Sequence, residues 1–254
     1  MSKALTKSPY EIELIRKSCR IVSEVLRMLG QVIQPGVTTK ELDRLAEDFI
    51  RAQGGEPAFK GYGFNKKNRF PASICTSVDD RVVHGIPSDY MLKDGEIISI
   101  DVGVKKDNYF GDGAWTYRVG RISDELIRLM KITEESLYVG IEQARKGQRV
   151  RDISTAVQHH VESNGYSVVR ELVGHGVGRQ LHEKPNVPNF AEGSPTMKLI
   201  PGMTLAIEPM VNAGTYDVYT EADGWTVRTE DGFPSAHFEH TVLITENGTE
   251  ILTI

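Results

Sequence analysis

The sequence predicts an α/β chain made of two similar halves, and three observations carry that prediction. Amphipathic helix patterns are interleaved with short β-branched runs. An order of helix, glycine and strand occurs twice. Each repeat places an acid inside an apolar strand.

The first helix begins at "SPYE". Ser8 is its N-cap, Pro9 takes the first helical position and Glu11 completes a capping box. Ile12, Ile15, Cys19, Val22, Leu26 and Leu29 follow at spacings of three and four, so they form one apolar stripe. Either Gly30 or the "QPG" at Gln34–Gly36 ends this helix. A second helix starts at "TTKE", with Thr38 as N-cap and Glu41 closing the box. It carries Leu42, Leu45, Phe49 and Ile50 and stops at Gly54–Gly55. Further helices are expected over 123–146 and 149–164. Strands are expected at 72–78, 96–105, 114–119, 168–173, 203–208 and 238–245.

The repeat shows when "PGVTTKELDRLAEDFIRAQGG" (35–55) is laid over "KGQRVRDISTAVQHHVESNGY" (146–166). A His-Gly pair follows each, His84-Gly85 and His175-Gly176. A turn glycine and an apolar strand come next, "DGEIISIDV" (94–102) and "PGMTLAIEP" (201–209). With Gly95 on Gly202, Asp101 falls on Glu208. The last strands also match, with Asp112 in "YFGDGAWTY" and Glu239 in "AHFEHTVLI". One catalytic domain of two pseudo-symmetric halves, about 8–120 and 121–254, is expected.

Composition narrows the function. At 39% apolar and 26% charged the chain has the balance of an ordinary globular protein. A net charge of −5 argues against a nucleic-acid surface as its main role, so no specific nucleic-acid readout is expected. No apolar h-region precedes the first helix, and no stretch reaches the ~18 apolar residues of a membrane span. The two cysteines, Cys19 and Cys75, have no metal-type spacing. A reduced, cytoplasmic setting is expected.

A pseudo-twofold would gather Asp101, Asp112, Glu208 and Glu239. Four carboxylates in one pocket cannot all stay ionised without cations. Two divalent ions would neutralise them, as in two-metal hydrolases. His175 in "VGHGVGR" adds a nitrogen ligand, and the set favours Mn, Fe, Co or Zn over a thiolate-type site.

Five stretches, "VVHGIP" (82–87), "IDVGVKKDNYFGD" (100–112), "GHGVGRQLHEKP" (174–185), "AIEPMVNAG" (206–214) and "FEHT" (238–241), resemble those of type I methionine aminopeptidases of the bacterial kind. The likeness runs from about residue 8 to the C-terminus. It implies the pita-bread fold, with antiparallel sheets and helices on the outside. It also implies two metal ions held by Asp101, Asp112, His175, Glu208 and Glu239, with Asp112 and Glu239 bridging. His84 and His182 are then substrate-facing imidazoles, with a purely structural role as the alternative. The implied reaction is hydroxide attack on the first peptide bond of a nascent chain, releasing methionine when the second residue is small. Glu208 would also shuttle a proton, His182 would stabilise the oxyanion and His84 would serve the scissile nitrogen. The resemblance points to Phe59, Tyr62, Phe70, Cys75, Leu181 and Trp225 as the methionine pocket, though each also reads as ordinary core. A monomer that meets the nascent N-terminus at the ribosome is expected.

The chain departs from the family pattern in places. Phe70 follows Tyr62 by eight positions, and the polar "NKKN" between them reads as a protruding turn at the pocket mouth that touches peptide or ribosome. His237 stands where Gln is common. In a strand it shares a face with Glu239, while His240 points away and is structural. His159 and His160 read as solvated. Proline-directed relatives, aminopeptidase P and prolidase, usually carry a large N-terminal domain, and this chain has about one helix before its motifs. Only 33 positions separate His175 from Glu208, against the long insertion of type II enzymes. A non-catalytic binding protein of this fold is the remaining alternative, and such proteins typically lose ligands.

Overall fold

A computed structural model of the chain describes residues 5–63, 68–191, 193 and 196–254. Four helices form near the expected spans, the first two from their expected caps. Helix α1 spans Pro9–Val32, with Glu11 accepting from the Ser8 amide at 2.8 Å and Ser8 Oγ accepting from the Glu11 amide at 3.3 Å. Gly30 does not end α1. It lies inside the last turns because a Cβ there would sit 2.6 Å from the Tyr117 ring, so packing requires glycine at that point. Helix α2 spans Thr39–Ala52, and the Thr38 hydroxyl accepts from the Glu41 amide. Helices α3 and α4 span Asp124–Gln143 and Val150–Ser163.

The main sheet has nine described strands: β1 Glu56–Pro57, β2 Cys75–Val78, β3 Ile97–Lys106, β4 Tyr109–Arg118, β5 Val173–Gly176, β6 Glu183–Pro188, β7 Thr204–Ile207, β8 Glu239–Ile244 and β9 Thr249–Ile251. Its order is β1-β3-β4-β8-β7-β5-β6, with β2 on β3 and β9 on β8, and every pairing is antiparallel. The expected strand over 114–119 begins earlier, at Tyr109. The strand expected over 168–173 divides into Ser167–Val168 and β5. Two small three-stranded sheets complete the structure.

The acid-bearing strands follow one plan in both halves. The strand that holds the first acid, β3, or leads directly into it, β7, pairs with the strand holding the second, β4 or β8, and β4 and β8 pair in the middle. Gly95 and Gly202, which lead into β3 and β7, both have left-handed φ, 98° and 90°, in which a side chain is strained.

Strand alternation decides which residues meet the helices. Ile98, Ile100, Val102 and Val104 pack in one core with α1 and α2. A second core joins α3 and α4 to Leu205, Ile207 and Val242. Asp101 and Gly103 take the opposite face. On β4, Gly111 and Gly113 face α1: a Cβ on Gly111 would lie 2.6 Å from the Cys19 backbone nitrogen and 2.8 Å from its Sγ. Gly111→Ala is therefore expected to destabilise the fold by about 1–3 kcal/mol through overpacking, measured as a lowered denaturation midpoint.

Candidate metal centre

The centre follows from register. In the middle of the sheet Asp101 on β3 and Glu239 on β8 both pair with Ala114 of β4, so the two acids flank a methyl group. Asp112 lies two residues before Ala114, on the same face. Its backbone is fixed by Thr241, whose hydroxyl donates to the Asp112 carbonyl at 2.7 Å and accepts from its amide at 3.2 Å. His175 on β5 pairs with Ala206 of β7, which in turn pairs with Thr241. Glu208 follows Ala206 by two and joins the same face. Small residues at the crossings leave room for five long polar side chains above them.

One donor atom from each of Asp112, His175 and Glu239 lies within 4.8 Å of the others. His175 Nε2 is 3.8 Å from Asp112 Oδ2 and 3.4 Å from Glu208 Oε1. Its Nδ1 donates to the Gly176 carbonyl at 2.9 Å, so Nε2 carries the lone pair turned to the acids. Asp101 Oδ1, Asp112 Oδ1 and Glu239 Oε1 are buried with no hydrogen-bond partner among the described residues. Desolvation raises Asp101 to about 7. Desolvation, and then the neighbouring acids, push Asp112, Glu208 and Glu239 well above the usual carboxylate range. Desolvation lowers His175 to about 3, so it stays a neutral donor. Unpartnered oxygens, acids that resist ionising alone and a neutral imidazole together fit divalent cations.

Above the acids lies a cavity of about 110 Å³. Phe59, Phe70 and Cys75 line it and belong to a buried apolar cluster with Ala72 and Leu181, against which the lining Tyr62 and Trp225 pack. Phe70 meets Phe59 and Trp225 edge-on, with centroids 6.4 and 5.3 Å apart. Gly103 makes this possible, because a Cβ there would lie 2.5 Å from the Phe59 ring. Burial, and then Asp101, hold the Cys75 thiol well above its usual range, so it is an inert wall group and no nucleophile.

His84 and His182 also line the cavity. His84 adopts φ 58°, rare outside glycine. The next residue has to be glycine, since a Cβ on Gly85 would lie 2.1 Å from the Thr76 carbonyl oxygen. Desolvation lowers His84 to about 4. His182 stacks near His175 at 4.2 Å between centroids, and its Nδ1 lies 2.6 Å from the Tyr62 hydroxyl. Burial raises the Tyr62 phenol, so it stays protonated and can donate to Nδ1, an arrangement in which the neutral imidazole carries its proton on Nε2.

The sequence-expected site residues thus line one cavity, except Leu181, which packs in the apolar cluster behind its wall. Other expectations need correction. His237 does not continue the strand of Glu239. It ends a short strand, Ser235–His237, in another sheet, and the chain turns at Phe238 between them. It still reaches the centre, with Nε2 3.6 Å from Glu208 Oε2. His240 is structural as expected, with Nδ1 2.8 Å from the Thr253 hydroxyl. His159 is exposed, but His160 is partly buried and 3.3 Å from Glu135, so it is not simply solvated. Most of the expected "NKKN" turn lies outside the described residues. Asn68 at its end holds the Trp225 ring nitrogen at 3.2 Å. Two supporting residues escaped sequence reasoning: Thr241, and Asn189, whose amide donates to the Glu208 carbonyl at 3.0 Å. Thr241 stands two positions from Glu239, which is a readable signal; Asn189 has none.

A carboxylate and imidazole centre at the floor of an apolar cavity defines a metal-dependent hydrolase. The chain belongs to metallopeptidase family M24, whose profile matches residues 13–246. Among its relatives is methionine aminopeptidase 1 of Bacillus subtilis (strain 168), 53% identical over 249 residues that cover 98% of each chain. The solved methionine aminopeptidase of Thermotoga maritima superposes with a TM-score of 0.94 at 44% identity, covering 98% of both chains. The prolidase of Pyrococcus furiosus shares the fold at a TM-score of 0.79 and 25% identity, and the chain spans 66% of it.

Proposed function

We propose that this metallopeptidase removes the N-terminal methionine from nascent polypeptides whose second residue is small. The observation that carries the reading is the small apolar cavity ending on the unpartnered carboxylates. Relatives of nearly equal length bear the name methionine aminopeptidase.

In this reading Asp101, Asp112, His175, Glu208 and Glu239 hold two divalent ions of the Mn, Fe, Co or Zn class. Bound ions would neutralise the acids, acidify a water and polarise the scissile carbonyl. The chain's own groups do the rest. Phe59, Phe70, Cys75, Leu181 and Trp225 take the flexible thioether side chain. Glu208 lies beside His175 and His237 and moves a proton from the attacking water. His182 Nε2–H donates to the oxygen that gains charge. His84, neutral on the far wall, serves the scissile nitrogen. The reading also takes residues 8–120 and 121–254 as halves of one catalytic domain, acting as a cytoplasmic monomer at the ribosome. No described helix is long and apolar enough to cross a membrane.

A crowded centre cannot hold a bulky second side chain in attack geometry. Met-Ala-Ser is therefore expected to be cleaved with kcat/KM at least about a hundredfold above Met-Lys-Ser. Comparable values, or preference for Xaa-Pro peptides, would overturn this reading in favour of a broader or proline-directed enzyme. A metal titration without turnover on any of these peptides would mark a binding protein.

A further inference from the structure

The turn between β5 and β6 carries Leu181 into the apolar cluster behind the cavity and His182 beside His175, yet it has no regular structure of its own. One side chain organises it. Glu183 Oε1 accepts from the amides of Arg179 at 2.6 Å and Gln180 at 2.9 Å. Its other oxygen accepts from Lys7 Nζ at 2.8 Å. The Lys7 side chain is 1% exposed, and the Glu183 side chain 12%.

Lys7 comes from the segment that leads into α1. Its amide donates to the Gly202 carbonyl at 2.8 Å, so its own backbone is anchored. Its chain runs against the start of the turn: a Cβ on Gly178 would lie 2.9 Å from Lys7 Cε. The Arg179 guanidinium donates to the Thr6 carbonyl at 3.1 Å and to Glu11 at 2.6 Å, which ties the same two segments again. A buried ammonium is costly and is kept only where it is paired. An apolar chain of equal length could fill the same space. His182 stands between two anchors, Leu181 in the apolar cluster and Glu183 on Lys7.

We infer that Lys7 is a positioning residue: through Glu183 it holds the Arg179–His182 turn so that His182 keeps one orientation toward the cavity floor. The inference rests on the reading of His182 as a substrate-facing donor.

Lys7→Met keeps the chain length and removes the charge, leaving a buried carboxylate without its cation. In the metal-loaded protein, kcat on Met-Ala-Ser is expected to fall about tenfold with KM changed less than about twofold, because a sub-ångström displacement misplaces a donor without emptying the pocket. Bound metal should be unchanged, and the Arg179 and Gln180 amides should exchange faster with solvent. In a His182→Ala background the same substitution should cost no further kcat, since the two residues act in series. An unchanged kcat in Lys7→Met, with His182→Ala impaired, overturns the inference alone. So does an equal loss in both backgrounds, which would mark a merely structural role. An unchanged kcat in His182→Ala instead overturns the role of His182, and this inference with it. If Lys7→Met does not fold, Glu183→Gln keeps an oxygen for the two amides, loses the charge facing Lys7 and is judged by the same outcomes.

Discussion

His175→Ala is expected to lose bound metal and turnover together, while His84→Ala and His182→Ala keep most of the metal and lose about 10²–10³ in kcat. The difference follows from where the three imidazoles sit. His175 Nε2 lies within 3.4 and 3.8 Å of Glu208 and Asp112, among the unpartnered oxygens, and its other nitrogen is committed to the Gly176 carbonyl. Alanine there leaves an acid cluster without its nitrogen donor. His182 is instead held at Nδ1 by Tyr62, and His84 stands against Trp225 with centroids 6.4 Å apart. In the proposed reading each serves the substrate and neither is a ligand of the cluster. Metal content by elemental analysis, set beside kcat on Met-Ala-Ser, checks the split. A His182→Ala protein that lost its metal would place that residue among the ligands. A fully active His175→Ala would remove the assigned centre.

Metal removal should lower the melting temperature, and more so as pH rises. Ligand binding at a hundredfold excess over Kd contributes ~2.7 kcal/mol. For a chain of this size that is about 5–10 °C. The pH dependence comes from the acids. Asp101 is raised to about 7, and Asp112, Glu208 and Glu239 are held well above the usual carboxylate range, chiefly by desolvation. Below about pH 4 these groups are protonated in both states and cost nothing. Above it the unfolded chain ionises freely and the metal-free fold does not, so stability falls as pH rises through the folded values.

The imidazoles work in the other direction. His84 and His240 are lowered to about 4 and His175 and His237 to about 3, and His182 is lowered too, all chiefly by desolvation. They destabilise the fold as pH drops below about 6.5, where the unfolded chain takes up protons. Above that pH they are neutral in both states. Between about pH 6.5 and 8, then, only the acids act. The chelated protein should melt at progressively lower temperature over that window, while the metal-loaded one stays nearly level. Melting curves with and without chelator at both ends of the window test this. Curves that the chelator leaves unmoved would show that the acid cluster holds no metal.

The residues of the centre were legible in the sequence because each stands out against its own strand. Asp101 interrupts an apolar run, and Glu208 and Glu239 do the same in the second half. Local chemistry also wrote the first two helix starts plainly: Ser8 with Glu11 and Thr38 before Glu41 are bonds between near neighbours. The structure then shows alternation along β3 separating Ile98, Ile100, Val102 and Val104, which pack with α1 and α2, from Asp101 on the other face.

What depended on distant parts of the chain could not be read that way. Gly30 looked like a helix end, but the Tyr117 ring keeps it in α1. His237 looked continuous with Glu239, but the chain changes sheets at Phe238, since β8 pairs with β4 and β7 while the strand of His237 pairs with Met210–Asn212. Thr241 bracketing Asp112, Asn189 on the Glu208 carbonyl and Lys7 on Glu183 join residues 129, 19 and 176 positions apart. By itself the sequence determined which residues are candidates for the chemistry, because residue type and strand period are local properties. Tertiary structure alone decided their distances, their desolvation and the side chains that hold them, because those depend on which strands lie side by side.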